Sequence, residues 1–542
     1  MSINLGQGQV IDNLNRYLEW HNLPLRMNKE GICNGLAMVY VKYVLENKEK
    51  EFFDMLGYIA GKEISSEMEI QVNHFVNEVI LSFIPEKYDK KLNQSNAIKA
   101  LAIDNKSLKS SFDLALVTSD DNWANIFTSL SLRENEVMRV ASINHTVAVA
   151  KKEGQYIVYD PNYSSGFKTF ANEKQLVQEL HKNVFEYNRG PLGLEVSVIC
   201  HPDSPARDFP KLKEIYHAYL THENITQVAK TDGKKFDTLQ RSAILNDAAA
   251  ISELLSIGAK DDNYQAAAEA VMSNNPDTLR VLLENIKEPN VINGLFVAAL
   301  EHGRSETFDE LLQHSFSRTV IENAAKMNLN KSWLINKAAE GGNVEVLQKT
   351  IQLCQTNLGT EDLLSPFILE KQPMEDAICA AIRGGDVKSV ELLMEHLEKE
   401  GFDDPIRNVQ YLTLAIRENQ PYMVALLLKK IPSEFVQTIS MTASATEKTD
   451  LFIIHQLQKH DVNFSTTAKA IIDKKEHRPV GIILSIGIML NKFSDFCKEK
   501  LLNKAGVDHN VQACKTIQAK LANIQHEALE SEEEPNSGLS PK

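Results

Sequence analysis

Apolar positions recur at helical spacing through most of the first hundred residues, then give way to alternation. Val10–Leu25 reads as a short amphipathic helix ending in a turn. In Met27–Leu45, MNKEGICNGLAMVYVKYVL, Cys33 stands between two glycines. Ala37, Tyr40, Val41 and Val44 then repeat as a buried helical face. Helical patterns follow over Glu49–Ile64, Glu67–Ile84 and Gln94–Ile103. A strand is expected over Phe112–Thr118 and a helix over Asp121–Leu130. From Met138 to Lys151 the chain alternates and is rich in β-branched residues, which predicts a strand. Glu153-Gly154 marks a turn, Gln155–Asp160 a second strand, and Pro161-Asn162 its end. A helix over Glu173–Tyr187 and a last strand over Leu194–Cys200 complete the first unit. The run 201–210 holds three prolines and reads as the exit from an α+β domain spanning residues 1–205.

After residues 206–239, read as a helical linker, the text becomes short helix pairs. An Ala-rich helix, a Gly/Asn turn and a helix carrying Leu-Leu recur: Ala266–Ala270, Asn274-Asn275, Leu282-Leu283; Ala298-Ala299, Gly303, Leu311-Leu312. The segments AAEGGNVEVLQ (338–348) and AAIRGGDVKSVELLM (380–394) are the clearest copies, and they resemble ankyrin repeats. Small Ala permits close packing, the Gly/Asn turn permits left-handed backbone, and the Leu pair feeds a stacked core. The T-P-L-H opening of that consensus is missing throughout. The expected organisation is an ankyrin-repeat solenoid of about six to eight degenerate repeats over 240–490, a helical cap over 491–525, and a disordered acidic tail over 526–542.

Composition narrows the functional classes. The 542 residues are 43% hydrophobic and 24% charged, ordinary for globular protein. A net charge of −15 without a dense Lys/Arg run argues against nucleic-acid binding. Six cysteines (33, 200, 354, 379, 497 and 514) are scattered without paired spacing, as reduced thiols would be, and not as a disulfide framework or a zinc site. The first residues carry no basic-then-apolar signal peptide, and the longest apolar run, Val480–Leu490, is too short to span a bilayer. No metal or nucleotide motif stands out, so no cofactor is expected.

The chemistry gathers on Cys33. A thiol at the first turn of a helix feels the positive end of the helix dipole, which favours thiolate. It needs a base, an orienter for that base and donors for an oxyanion. His21, His74 and His181 sit in contexts that give them no partner by local geometry; His201, beside Asp203, is a weaker candidate. His145 differs. A two-residue turn at Glu153-Gly154 pairs Val147 with Asp160 and His145 with Asn162, so Asp160 shares a face with His145 as its diagonal neighbour.

Cysteine at a helix start, histidine 112 residues later and aspartate 15 residues after that resemble the papain-like fold, most closely the YopT/AvrPphB family of bacterial effector cysteine proteases. That resemblance, covering roughly residues 20–200, implies a Cys33–His145–Asp160 triad. It also implies an oxyanion donor at Asn28, five residues before the nucleophile, beside the Cys33 backbone N–H. A papain-like domain followed by ankyrin repeats and a glutamate block (Glu530, Glu532–Glu534) further resembles ankyrin-containing type IV secretion effectors of Legionella. This implies export by a non-classical route into a host cell and a host protein as partner of the repeats. Two alternatives stay open: a binding scaffold with an inactive papain-like domain, and a Cys-His-Asp deamidase or acyltransferase.

Overall fold

The computed structural model describes residues 5–20, 27, 32–61, 66–87, 92–187, 190–231, 234–313, 331–355, 371–399, 401 and 404–476. The chain is a mixed α/β region followed by a helical one. Four helices come first: α1 (Gln7–Trp20), α2 (Cys33–Leu45), α3 (Glu49–Ile59) and α4 (Ser66–Phe83). A small ribbon, β1 (Ala102–Ile103) with β2 (Lys106–Ser107), leads to β3 (Ser110–Thr118) and α5 (Asp120–Leu130). Next come β4 (Glu136–Ala141), β5 (Thr146–Lys152), β6 (Gln155–Tyr159), β7 (Phe167–Phe170), α6 (Glu173–Glu179) and β8 (Leu192–Cys200). The strands β3 to β8 form one antiparallel six-stranded sheet in the order β3-β8-β4-β5-β6-β7.

Strands β4 and β8 are buried along nearly their whole length because both faces of the sheet are covered. On one face lie α1–α4, packed on Val137, Ala148, Ala150, Tyr159 and Ile199. On the other lie α5, α6 and the chain after residue 212, packed on Met138, Val140, Val147, Val149 and Val158. Helix α2 is the centre of the first layer, with ten of its residues buried. It can approach α4 closely because residue 35 is glycine: a Cβ there would overlap the Val79 carbonyl oxygen and stand 3.0 Å from the Phe83 Cβ.

Several expectations change. Gln94–Ile103 is not a helix. It holds a single tight turn at Ala97–Ala100 and the short strand β1. Asn93 and Asn96 bond the local backbone in place of a helical ladder, Asn93 Oδ1 accepting from Ser95 N–H at 2.9 Å and Asn96 Oδ1 from Asn93 N–H at 2.8 Å. Met138–Lys151 is two strands, broken by a turn at Ser142–His145. Alternation runs on across that turn, so periodicity alone did not reveal it. The helix expected over Glu173–Tyr187 ends early, in a widened turn over Leu180–Val184. Strand β7 was not anticipated. The stretch 206–239 is not wholly helical. After α7 (Leu212–Tyr219) it forms a ribbon, β9 (Ala229–Thr231) with β10 (Lys234–Phe236).

From α8 (Thr238–Ser242) and α9 (Ala248–Ser256) onward come helix pairs, among them α10 (Gln265–Met272) with α11 (Pro276–Leu283) and α12 (Pro289–Glu301) with α13 (Ser305–Gln313). Others are 344–355 after 331–340, 387–399 after 371–384, and 421–430 after 405–417. Asn274, Gly303, Gly342, Gly385 and Asn419 at the intervening turns have φ between 53° and 74°. The turn asparagine of one pair reaches the next: Asn246 Oδ1 accepts from Thr278 N–H, Asn274 Oδ1 from Glu306 and Thr307 N–H, and Asn419 Oδ1 from Asp450 N–H. Residues 477–542, which include the expected cap and acidic tail, lie outside the described residues, as do Asn28 and His21.

Candidate active site

Cys33 is the first residue of α2, so its sulfur lies at the end of the helix where backbone N–H groups are unpaired. Helix α2 is fixed by burial, and the site is brought to it by the β4–β5–β6 meander. Glu153 (φ 51°) and Gly154 (φ 76°) are both left-handed and form the two-residue turn that joins β5 to β6. The register that results pairs Lys152 with Gln155 and Ala148 with Tyr159. Carried two residues further, it sets Asp160 near His145. His145 Nε2 lies 2.8 Å from Asp160 Oδ1, and both residues are buried.

His145 ends the Ser142–His145 turn, whose closing bond runs from Ser142 N–H to the His145 carbonyl at 2.9 Å. With Nε2 occupied by Asp160, Nδ1 is the nitrogen left to face Cys33, and imidazole and thiol each shift the titration of the other. Asp160 accepts a second bond at the same oxygen, from Asn162 N–H at 2.8 Å. The Asn162 amide nitrogen sits 3.4 Å from His145 Nε2. Phe185 packs edge-on against the imidazole, ring centres 6.1 Å apart. Beneath the site Tyr159 stacks on Tyr40 of α2 at 4.4 Å, joining β6 to the helix that carries the sulfur.

The electrostatics follow from this geometry. Burial alone would push the Cys33 thiol up. The hydrogen bond and charge of His145, with the Thr146 and Asn34 backbone N–H groups, outweigh it and hold the thiol below its ordinary value. Burial alone would push His145 down. The bonds to Asp160 and Cys33 and their charges outweigh it and raise the imidazole to about 10. Between those limits the pair is thiolate and imidazolium.

The other histidines are elsewhere. His74 is on α4, held below its ordinary value by burial and by Lys42. His181 Nδ1 meets Asp120 Oδ1 at 2.5 Å, a second His–Asp pair facing Tyr187. His201 makes no carboxylate pair with Asp203. Its Nδ1 accepts the Asp203 N–H at 3.2 Å, and the Asp203 carboxylate goes to Lys106. Asn15 of α1 clamps the residue before Asn28, donating to the Met27 carbonyl at 2.8 Å and accepting the Met27 N–H at 2.6 Å.

Sequence reasoning missed three groups around the site. Thr146 acts through its backbone, which no side-chain pattern marks. Phe185 reaches the imidazole from a distant loop. The third is a buried charged cluster. Arg139 Nη1 meets Glu195 Oε2 at 3.2 Å, Arg241 Nη2 meets Glu195 Oε1, and Arg139 Nε meets Asn34 Oδ1 at 3.3 Å. Its one signal in sequence was a lone charge inside each of two apolar strands, VMRVA and LEVSVIC. Among the described residues no group of three His, Cys, Asp or Glu side chains could hold a metal ion. None of their helices is long and apolar enough to cross a membrane.

A buried imidazole between a carboxylate and a thiol at a helix start is the arrangement that cysteine peptidases use to make a nucleophile. Residues 15–197 match the family model described as Yersinia/Haemophilus virulence surface antigen, the C58 peptidase family, and that span contains Cys33, His145 and Asp160. The match covers the mixed α/β region and none of the helix pairs. No curated protein matches the chain, and no solved structure does.

Proposed function

We propose that this chain is a bacterial effector thiol protease that acts on a host protein recruited by its helical region. The observation that carries the reading is the hydrogen-bonded series Cys33–His145–Asp160, with the thiol lowered and the imidazole raised. In this scheme the Cys33 thiolate adds to the scissile carbonyl, and the oxyanion forms against the Cys33 backbone N–H and the Asn28 side chain. His145 gives its proton to the departing amine, leaving an acyl-enzyme. The neutral imidazole then takes a proton from water, hydroxide equivalent adds to the thioester, and the thiolate is released. Asp160 holds the ring in place and stabilises its charged form.

The family match supports the protease domain. The helical region is read as a degenerate ankyrin array whose stacked pairs bind the substrate protein or locate the enzyme. The acidic residues of 526–542 are read as part of a non-classical export signal.

The test is intact-mass spectrometry of host proteins incubated with the wild type and with Cys33→Ala. Fragments that appear only with the wild type support proteolysis. A gain of about one mass unit marks deamidation, and an added group marks acyl transfer, which share the acyl-enzyme step. If Cys33→Ala retains full activity on the substrate, the assignment of the nucleophile is wrong.

A further inference from the structure

The turn that carries His145 is held from behind by a residue outside the family-matched span. Ser142 opens this turn and His145 closes it. The Ser142 carbonyl accepts from Arg241 Nη2 at 3.3 Å, and its hydroxyl meets the Tyr187 hydroxyl at 2.7 Å, which in turn donates to the Gly193 carbonyl at 3.0 Å. The same Arg241 nitrogen pairs with Glu195, and Glu195 reaches Arg139, whose guanidinium touches the Asn34 side chain next to Cys33. Arg139, Glu195 and Arg241 are all at most 5% exposed. One buried carboxylate thus spans two guanidinium groups, one directed at the residue after the nucleophile and the other at the turn bearing the base.

Arg241 belongs to α8, the first helix of the helical region. The segment around it covers the outer edge of β3. Gln227 and Thr238 satisfy the Val117 C=O and N–H on the outer edge of β3, at 2.6 and 3.0 Å. Phe236 packs where Gly193 has no side chain, and the Arg241 guanidinium lies over its ring at 5.1 Å. Thr231 donates to the carbonyl of Phe185, the ring against His145, at 2.9 Å.

We propose that Arg241 is a positioning residue of the active site: through the Ser142 carbonyl and Glu195 it sets the His145 turn, and so couples the helical region to the Cys33–His145 pair. Both contacts leave from one nitrogen, Nη2, at the far tip of the guanidinium, which must reach a carboxylate and a carbonyl at once. A lysine keeps the charge beside Glu195, but its ammonium sits one bond closer to the backbone than Nη2 and stops short of the Ser142 carbonyl. The proposal rests on the thiol-protease reading of Cys33 and His145.

The experiment uses the full chain. Wild type, Arg241→Lys, Arg241→Met and Thr238→Val are compared in melting temperature and in the rate of Cys33 alkylation by iodoacetamide across pH, with Cys33→Ala subtracting the other thiols. Thr238→Val loosens the β3 edge without touching Ser142. It is expected to lower the melting temperature and leave the Cys33 pH profile in place. Arg241→Lys is expected to fold and to lose about tenfold in alkylation rate at pH 6, its acid limb moving about one pH unit toward the ordinary thiol value of about 8.5. A wild-type profile in Arg241→Lys overturns the proposal, including where Arg241→Met does not fold. A profile shift in Thr238→Val as large as that in Arg241→Lys also overturns it, because loss of stability would then account for both. An ordinary thiol in the wild type would overturn the protease reading instead. The His145 imidazole titration, followed by NMR, then decides on Arg241 by whether Arg241→Lys moves it.

Discussion

At Cys33 two effects oppose each other. Burial favours the neutral thiol, while His145 and two backbone N–H groups favour the thiolate and prevail. At His145 burial favours the neutral ring, while Asp160 and Cys33 favour the cation and prevail. The consequence is a pH window. The acid limb of Cys33 reactivity lies below the ordinary thiol value. The alkaline limb belongs to peptide cleavage, which needs protonated His145 as its acid, and lies above the ordinary imidazole value, near pH 10. Asp160→Asn removes one of the groups that raise the imidazole. Its alkaline limb is therefore expected to move down and its acid limb up, narrowing the window from both sides, with turnover reduced about 10²–10⁴-fold. Alkylation and peptide-cleavage rates between pH 5 and 10.5 check this, and an unchanged window would remove Asp160 from the site. The approach of His145 to Asp160 was legible in the sequence because a two-residue turn fixes register, and register fixes which side chains share a face. The Thr146 N–H bond and the Phe185 ring contact were not, because one is backbone and the other depends on how a remote loop folds back.

At the scale of elements, packing decides what periodicity leaves open. Helix α2 was legible from its apolar repeat, and the close approach to α4 at Gly35 follows from the absence of a side chain there. Gly35→Ala would force a methyl against the Val79 carbonyl. It is expected to destabilise the protein by about 1–3 kcal/mol, measurable as a lower urea midpoint at unchanged slope; a neutral result would mean that α2 and α4 can separate. In the helical region Gly341 and Gly384 stand where the end of one pair lies on the next, and a Cβ at either would overlap a carbonyl of the preceding pair. The Ala-rich helix and Gly/Asn turn pattern identified these pairs from the text alone. The break at Ser142–His145 escaped because a tight turn between two strands can preserve alternation. The helix expected at Gln94–Ile103 failed because asparagine side chains compete for the same backbone groups.

At the scale of the molecule, the core does not stop at the Pro-rich stretch 201–210. Apolar side chains form one continuous cluster from β8 through Ile215, Phe236 and Leu239 into the helix pairs. A fragment ending at residue 205 would uncover Phe112, Val117 and the outer edge of β3, and would leave Glu195 without Arg241. It is expected to melt at least several degrees below the full chain or to aggregate, checked by circular dichroism and size-exclusion chromatography. A fragment as stable as the whole would show that residues 212–242 add only cover. An edge strand stripped of its partners is a ready template for intermolecular pairing, which gives the physical basis for that expectation.

The sequence by itself determined the change from mixed α/β to helix pairs, the placement of Cys33 at a helix start, and the His145–Asp160 side of the hairpin. All three rest on local rules: apolar period, turn chemistry and two-residue register. Only the tertiary structure decided that Cys33 and His145 meet, that β8 inserts between β3 and β4, and that Arg241 closes a buried charge cluster behind the turn that carries His145. Those contacts join residues tens to more than a hundred positions apart. Their geometry comes from which apolar faces bury against one another, and no local pattern carries that information.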